Sequence, residues 1–226
     1  MAPILLVATI FTATVTILLS SVGLGRWAGY FFPHWWARLF CILTLVKVTV
    51  KGRENVDPDT SYVFVANHQG AYDIFSIYGY LNHQFRWMMK RSLEKIPLVG
   101  YSCKVSGHIM VDNSSPSATK MTMEKAERQL QGGMSLVVFP EGARSWDGNM
   151  RPFKRGAYML AVELPVVPIT IDGSFDIMPR FKRIPHWGHI ILTIHKPIEA
   201  VDGRHDLQSL MSESFEAINS SLPSRG

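Results

Sequence analysis

The pattern of apolar and polar positions divides the chain into two unlike parts. Residues 1–25 carry no charged side chain. The apolar run at 3–24 is long enough to cross, as a helix, the roughly 30 Å hydrocarbon core of a bilayer. A cleaved leader is the competing reading, but the N-terminus lacks Lys and Arg, and the run outlasts a leader core of about 7–15 residues. A second apolar stretch at 27–46 is broken only by Pro33, His34 and Arg38. Its rings, Trp27, Tyr30, Phe31, Phe32, Trp35 and Trp36, are of the kind that settle at lipid headgroup level, so this stretch either spans or lies in the interface.

From Gly52 the pattern changes. Short strand-like runs fall at 62–66, 85–89, 108–111, 135–139, 166–171 and 189–195, several continuously apolar as buried strands are. Helical patterns lie between them. The clearest is predicted over 116–131, with Ser115 as cap, Pro116 in the first turn and Gly132-Gly133 as the stop. Alternation of this kind predicts an α/β domain with a mostly parallel sheet flanked by helices, preceded by an N-terminal membrane-embedded helical segment. The division expected is an anchor at 1–51 and one α/β domain at 52–226.

Composition and charge sharpen this picture. The chain has 226 residues, 47% hydrophobic and 18% charged, which suits one globular domain with an apolar extension. Arg26, Arg38, Lys47, Lys51 and Arg53 precede the first acid, Glu54, so the net charge of +5 belongs to the membrane-proximal part. That placement predicts attraction to anionic lipid and a folded domain on the cytoplasmic face of a membrane. It speaks against nucleic acid as a partner, which would draw a basic patch across the folded domain. Cys41 and Cys103 are too few for a disulfide framework and lack metal-ligand spacing.

In an open α/β sheet, ligands bind outside the carboxyl ends of the strands. Three predicted strands end in polar words, "VFVA-NH", "HIMV-DNS" and "LVVF-PEGARS", and their ends are expected to meet in one cleft. His68 and Asp73 are five residues apart, which puts them on different faces of a continuous helix. His68 therefore belongs in the turn before the helix, with Asp73 reaching back from its first turns. Such a carboxylate holds one imidazole nitrogen and leaves the other as a general base. In "VVFPEGARSWDG" (137–148), Glu141, Arg144 and Lys154 crowd a loop where neutral turn residues would suffice. Arg144 offers the planar fork suited to phosphate, and Gly142 permits close backbone approach to a ligand.

"NHQGAYD" and "FPEGARS" resemble the two signature motifs of the glycerolipid acyltransferases, Asn-His-(four residues)-Asp and Phe-Pro-Glu-Gly-Thr-Arg-Ser. The branch that looks most similar is 1-acylglycerol-3-phosphate acyltransferase. The resemblance covers about 62–172, including "KRSLEKIPLVG" and "LPVVPITI". It implies transfer of an acyl group from a thioester, on coenzyme A or acyl carrier protein, to a lysophospholipid hydroxyl, with no other cofactor and no metal. His68 and Asp73 would be catalytic. Asn67, Glu141, Gly142, Arg144, Gly107, Asn113 and Lys104 would contribute to substrate binding, with Arg144 on the acceptor phosphate. No Gly-x-Ser-x-Gly elbow suggests an acyl-enzyme.

Two positions depart from the pattern. Ala143 stands where the family usually has Thr, and "GHIMVDN" ends in Asn113 where the family commonly has Arg. A neutral amide provides no charge-assisted pairing to a phosphate. Either Lys90, Arg91, Lys104 or Lys154 compensates, or the acceptor is another lysolipid, such as a lyso-amino-acid lipid. A non-catalytic, membrane-tethered phospholipid-binding protein would keep the same cleft. His108 reads as a packed residue rather than a second base.

Overall fold

The computed structural model describes residues 2–111, 122, 130, 133–158, 164–198 and 206–223. The helix predicted at 116–131 lies almost wholly outside the described residues, as do Asp112 and Asn113.

Two helices come first, α1 (Ala2–Ser21) and α2 (Gly25–Leu43), joined by a turn in which Gly23 takes φ +84°. Among the described residues α1 is the one helix long and apolar enough to cross a membrane. It leans on α2, where the Trp36 indole donates to Thr9 Oγ1 at 2.9 Å and Phe11 meets Phe32 edge to face. Helix α2 buries Ala28, Gly29, Ala37 and Cys41, small side chains that let it lie close on the domain behind it. One face is therefore committed to protein.

Among the described residues seven strands form a single sheet: β1 (Val46–Lys51), β2 (Val63–Ala66), β3 (Phe85–Lys90), β4 (Ile109–Val111), β5 (Ser135–Val138), β6 (Val166–Asp172) and β7 (Gly188–Ile194). Their order is β1-β7-β6-β2-β5-β3-β4, and only the β6–β7 pair is antiparallel. The mostly parallel α/β sheet expected from the alternation is what the chain builds. Strand β1 was not among the predicted runs. Its "VKVTVK" alternates in period two, and it pairs with β7 on the anchor side of the boundary expected at residue 52.

The strands alternate inward residues between two cores. Phe64, Ala66, Val137, Ile169 and Ile171 face α2 and α3 (Tyr72–Tyr80), together with Tyr72, Ile77 and Ala37. Val63, Val65, Leu136, Val138 and Val166 face the other way, against Leu210 and Ile218 of the last helix. Burial on both faces explains why "VFVA" is apolar at every position. Further helices are α4 (Val99–Val105), the single turn α5 (Ser174–Ile177) and α6 (Leu207–Ser220).

The carboxyl end of α3 is tied to the anchor helix. His34 Nδ1 donates to Tyr78 O at 3.1 Å and Arg38 Nε to Gly79 O at 2.7 Å, while Arg53 donates to Tyr80 O and Leu81 O. These are the carbonyls a helix end leaves without partners, and cations suit the negative pole there. Two of the five cations in the charge argument are thus spent on holding the fold.

Candidate active site

Strand β2 ends at Ala66, and the chain turns into α3 through residues 67–71. Asn67 is fully buried; its Nδ2 donates to Ile171 O at 2.9 Å and its Oδ1 accepts from Ile171 N at 2.8 Å. Both amide atoms are occupied, so Asn67 clamps the end of β2 to β6 rather than reaching a ligand. Gly70 passes so close to α5 that a Cβ would sit 2.3 Å from Ser174 O. Only glycine fits there.

These constraints turn His68 back over Asp73, in the first turn of α3. The Nδ1–Oδ2 distance is 2.7 Å, with the His68 side chain 15% exposed and Asp73 entirely buried. Asp73 Oδ2 also accepts from the backbone N–H of Gln69 (2.8 Å) and Gly70 (2.9 Å), and Ser174 Oγ donates to Oδ1. With its oxygens taken as acceptors by N–H and O–H groups, this carboxylate receives the Nδ1 hydrogen, and Nε2 is the ring nitrogen left free of it. The ring is further fixed by stacking on Phe139 (centroids 4.0 Å apart, planes 9° apart), which stacks on Trp87.

The loop after β5 braces this turn from the other side. Glu141, expected in the acceptor-binding loop, is turned inward and is only 1% exposed. Its Oε1 accepts from His68 N at 2.7 Å and its Oε2 from Arg151 N at 2.9 Å. Ser145 N donates to His68 O at 2.9 Å, so both backbone groups of His68 are held by the loop. Burial pushes the Glu141 carboxyl up to about 7, against the pull of the two N–H donors. Glu141 and Arg144 form no ion pair among the described residues. Gly142 takes φ +75°, and a Cβ there would come within 2.9 Å of Lys154 Nζ. Arg144 is half-buried beside it, with no hydrogen bond or ion pair among the described residues.

The structure thus brings Asn67, His68, Asp73, Glu141, Gly142 and Arg144 to the adjacent ends of β2 and β5. Lys104 and Gly107 are not with them. Met88 pairs with Ile109, which sets Gly107 level with Arg86 at the amino end of β3, and a Cβ on Gly107 would be 3.3 Å from Arg86 Nε. Exposed Lys104 sits in the last turn of α4 just before it. Both flank the end of a parallel strand away from the cleft, and β4 is three places from β2. The polar residues that follow β4, 112–114, lie outside the described residues. His108 is buried, accepting from Trp87 N at Nδ1 (3.2 Å) and bonded through Nε2 to Tyr78 Oη (2.8 Å); burial and Arg86 push its pKa down to about 3. It is a packed residue.

Ser174 and Phe139 were missed. Phe139 stood inside a motif but reads as the end of a strand, and Ser174 lies 101 positions from its partner Asp73, a distance no local spacing reports.

A family model described as acyltransferase matches residues 47–172, more than half of the chain, and includes Asn67, His68, Asp73, Glu141, Gly142 and Arg144. The chain belongs to the acyltransferase family. It is 34% identical over 204 residues to a 1-acyl-sn-glycerol-3-phosphate acyltransferase of Chlamydomonas reinhardtii, covering 88% of this chain and 59% of that protein. A chloroplastic 1-acyl-sn-glycerol-3-phosphate acyltransferase of Arabidopsis thaliana is 33% identical over 174 residues, 74% of this chain and 49% of that one. The chain therefore spans between about half and three fifths of the length of these relatives. The crystal structure of the 1-acyl-sn-glycerophosphate acyltransferase PlsC from Thermotoga maritima superposes with a TM-score of 0.74 at 24% identity, covering 97% of this chain and 98% of that one, a likeness of fold.

Proposed function

We propose that this acyltransferase moves an acyl group from an acyl thioester, on coenzyme A or acyl carrier protein, to the free hydroxyl of 1-acylglycerol-3-phosphate, giving phosphatidic acid. The observation that carries the reading is the His68–Asp73 pair, with Nδ1 held at 2.7 Å and Nε2 left at the cleft. Nε2 takes the hydroxyl proton as the acceptor oxygen bonds to the thioester carbonyl carbon. The carbonyl oxygen becomes an oxyanion. When the tetrahedral intermediate collapses, the C–S bond breaks and the thiolate leaves with the proton from Nε2. Asp73 keeps its charge throughout and stabilises the imidazolium. No acyl-enzyme and no cofactor beyond the thioester enter this scheme.

Arg144, next in sequence to the Ser145 that holds His68 O, and Lys154, whose ammonium lies by Gly142, are the cations for the acceptor phosphate. The partners are a lysophospholipid and the bilayer that delivers it, consistent with the apolar α1 and with the names of the relatives. The catalytic domain is assigned to the cytoplasmic face. A second acceptor, a lyso-amino-acid lipid, is favoured by one observation, the neutral Asn113 where the family commonly has Arg. The test is acyl transfer by the reconstituted protein from palmitoyl-CoA or palmitoyl acyl carrier protein to each lysolipid, beside His68→Ala. Turnover of lysophosphatidic acid that vanishes in the variant upholds the first reading. Turnover of the amino-acid lipid alone replaces it with the second, and no turnover with any pairing refutes both.

A further inference from the structure

The loop between α5 and β7, "PRFKRIPHW" at residues 179–187, has no part in the chemistry above. Its apolar side chains point outward: Ile184 is 80% exposed, Trp187 74% and Phe181 58%. Arg180, Lys182 and Arg183 alternate with them, and residues 177–188 contain no acid. Arg180 lies over the Trp146 ring at 4.5 Å, which joins a further exposed aromatic from the loop after β5 to the same surface. Large exposed apolar groups interleaved with cations carry a solvation cost that a soluble surface gains nothing from, and they mark a docking face. Aromatic rings and cations with apolar stems are the side chains that settle at a lipid interface.

Two placements identify the occupant. The loop closes onto the segment that leaves the anchor: Gly188 N bonds Leu45 O at 3.4 Å, and Leu45 is itself 75% exposed. Its apolar surface is thus continuous with the end of α2. The loop opens against the catalytic turn, where Ala71 N donates to Met178 O at 3.0 Å and Pro179 bridges Gly70. We propose that residues 179–187 are a second membrane-docking element, which inserts its apolar tip into an anionic lipid surface and sets the His68 turn at headgroup depth. The three cations pair with lipid phosphates while Ile184 and Trp187 enter below them.

The test uses the full chain with Ile184→Cys carrying an environment-sensitive fluorophore, in a background with Cys41 and Cys103 replaced by Ala. The protein is reconstituted into vesicles of phosphatidylcholine alone or with one third phosphatidylglycerol. The expected result is a blue shift on both, larger on the anionic vesicles and reversed toward aqueous emission by Arg180→Glu with Lys182→Glu and Arg183→Glu. Aqueous emission on both vesicle types overturns the proposal. So does a shift that arises only when acyl-CoA or acyl carrier protein is added, which would make the loop a donor-docking site. Because the readout is position and not turnover, it stands or falls separately from the proposed reaction.

Discussion

At the scale of single residues, the site is a set of carboxylates given different tasks by their surroundings. Asp73 faces the imidazole and Glu141 faces the backbone. His68→Ala removes the proposed base without disturbing those braces, so kcat should fall by about 10²–10⁴ while the unfolding midpoint stays close to that of the parent. Asp73→Asn lowers kcat by a similar order, because an amide donating to Nδ1 moves the proton to Nε2, where it blocks proton uptake. Steady-state kinetics with a parallel unfolding curve separates both from a folding defect. Glu141 carries a pH signature of its own. Its pKa is raised from 4.5 to about 7 by burial, so the folded state holds a proton that the unfolded state has released between those values. The stability it contributes is present in full below the lower value and lost as pH rises through the upper one. Denaturation curves across that window should show this decline in the parent and not in Glu141→Gln. The variant itself costs about 1–3 kcal/mol, since an amide turns one N–H toward a backbone N–H.

Elements, next, are placed by contacts that reach across the chain. Helix α3 begins in the His68 turn and ends under α2, so the seating of one end bears on the other. Arg38 holds Gly79 O at 2.7 Å from a half-buried position. Arg38→Ala should lower stability by about 1–2 kcal/mol, read from the unfolding midpoint in detergent, whereas Arg38→Lys should restore part of the loss. The strands were largely legible because each is an apolar run bounded by polar turns, and six predicted runs coincide with β2 to β7 within a residue or two. Strand β1 was not, because its Val–Lys alternation abuts an apolar helix and gains meaning only from β7 beside it. Asn67 and Glu141 were legible as members of motifs but not as braces. A motif names side chains, and their direction is set by backbone groups of Ile171 and Arg151 that local spacing does not locate.

For the whole molecule, the arrangement of anchor and domain decides which truncation is informative. Removing 1–46 would strip Ala37 and Cys41 from the core along with the membrane segment, so loss of function there would report unfolding. Removing α1 alone leaves that core in place. This shorter chain should leave the membrane fraction for the soluble one at high salt and keep binding to anionic vesicles at low salt, through the cationic loop at 179–187. A sedimentation assay at two ionic strengths reads the difference, and binding to anionic vesicles that does not respond to salt would contradict it.

The sequence by itself determined the elements and which polar residue types stand at their ends: an apolar helix at the start, buried strands, a His and an Asp at the mouth of a strand-to-helix turn, and an acid loop after another strand. Those follow from local periodicity and residue type, which act over a few positions. Tertiary structure alone decided the order β1-β7-β6-β2-β5-β3-β4, and with it which strand ends share a cleft. It set β6 beside β2, so that Ser174 meets Asp73, and left β4 with Gly107 and Lys104 at the far edge. Strand order is fixed by pairing between segments tens of residues apart, where two sheet faces are buried at once, and no local pattern encodes it.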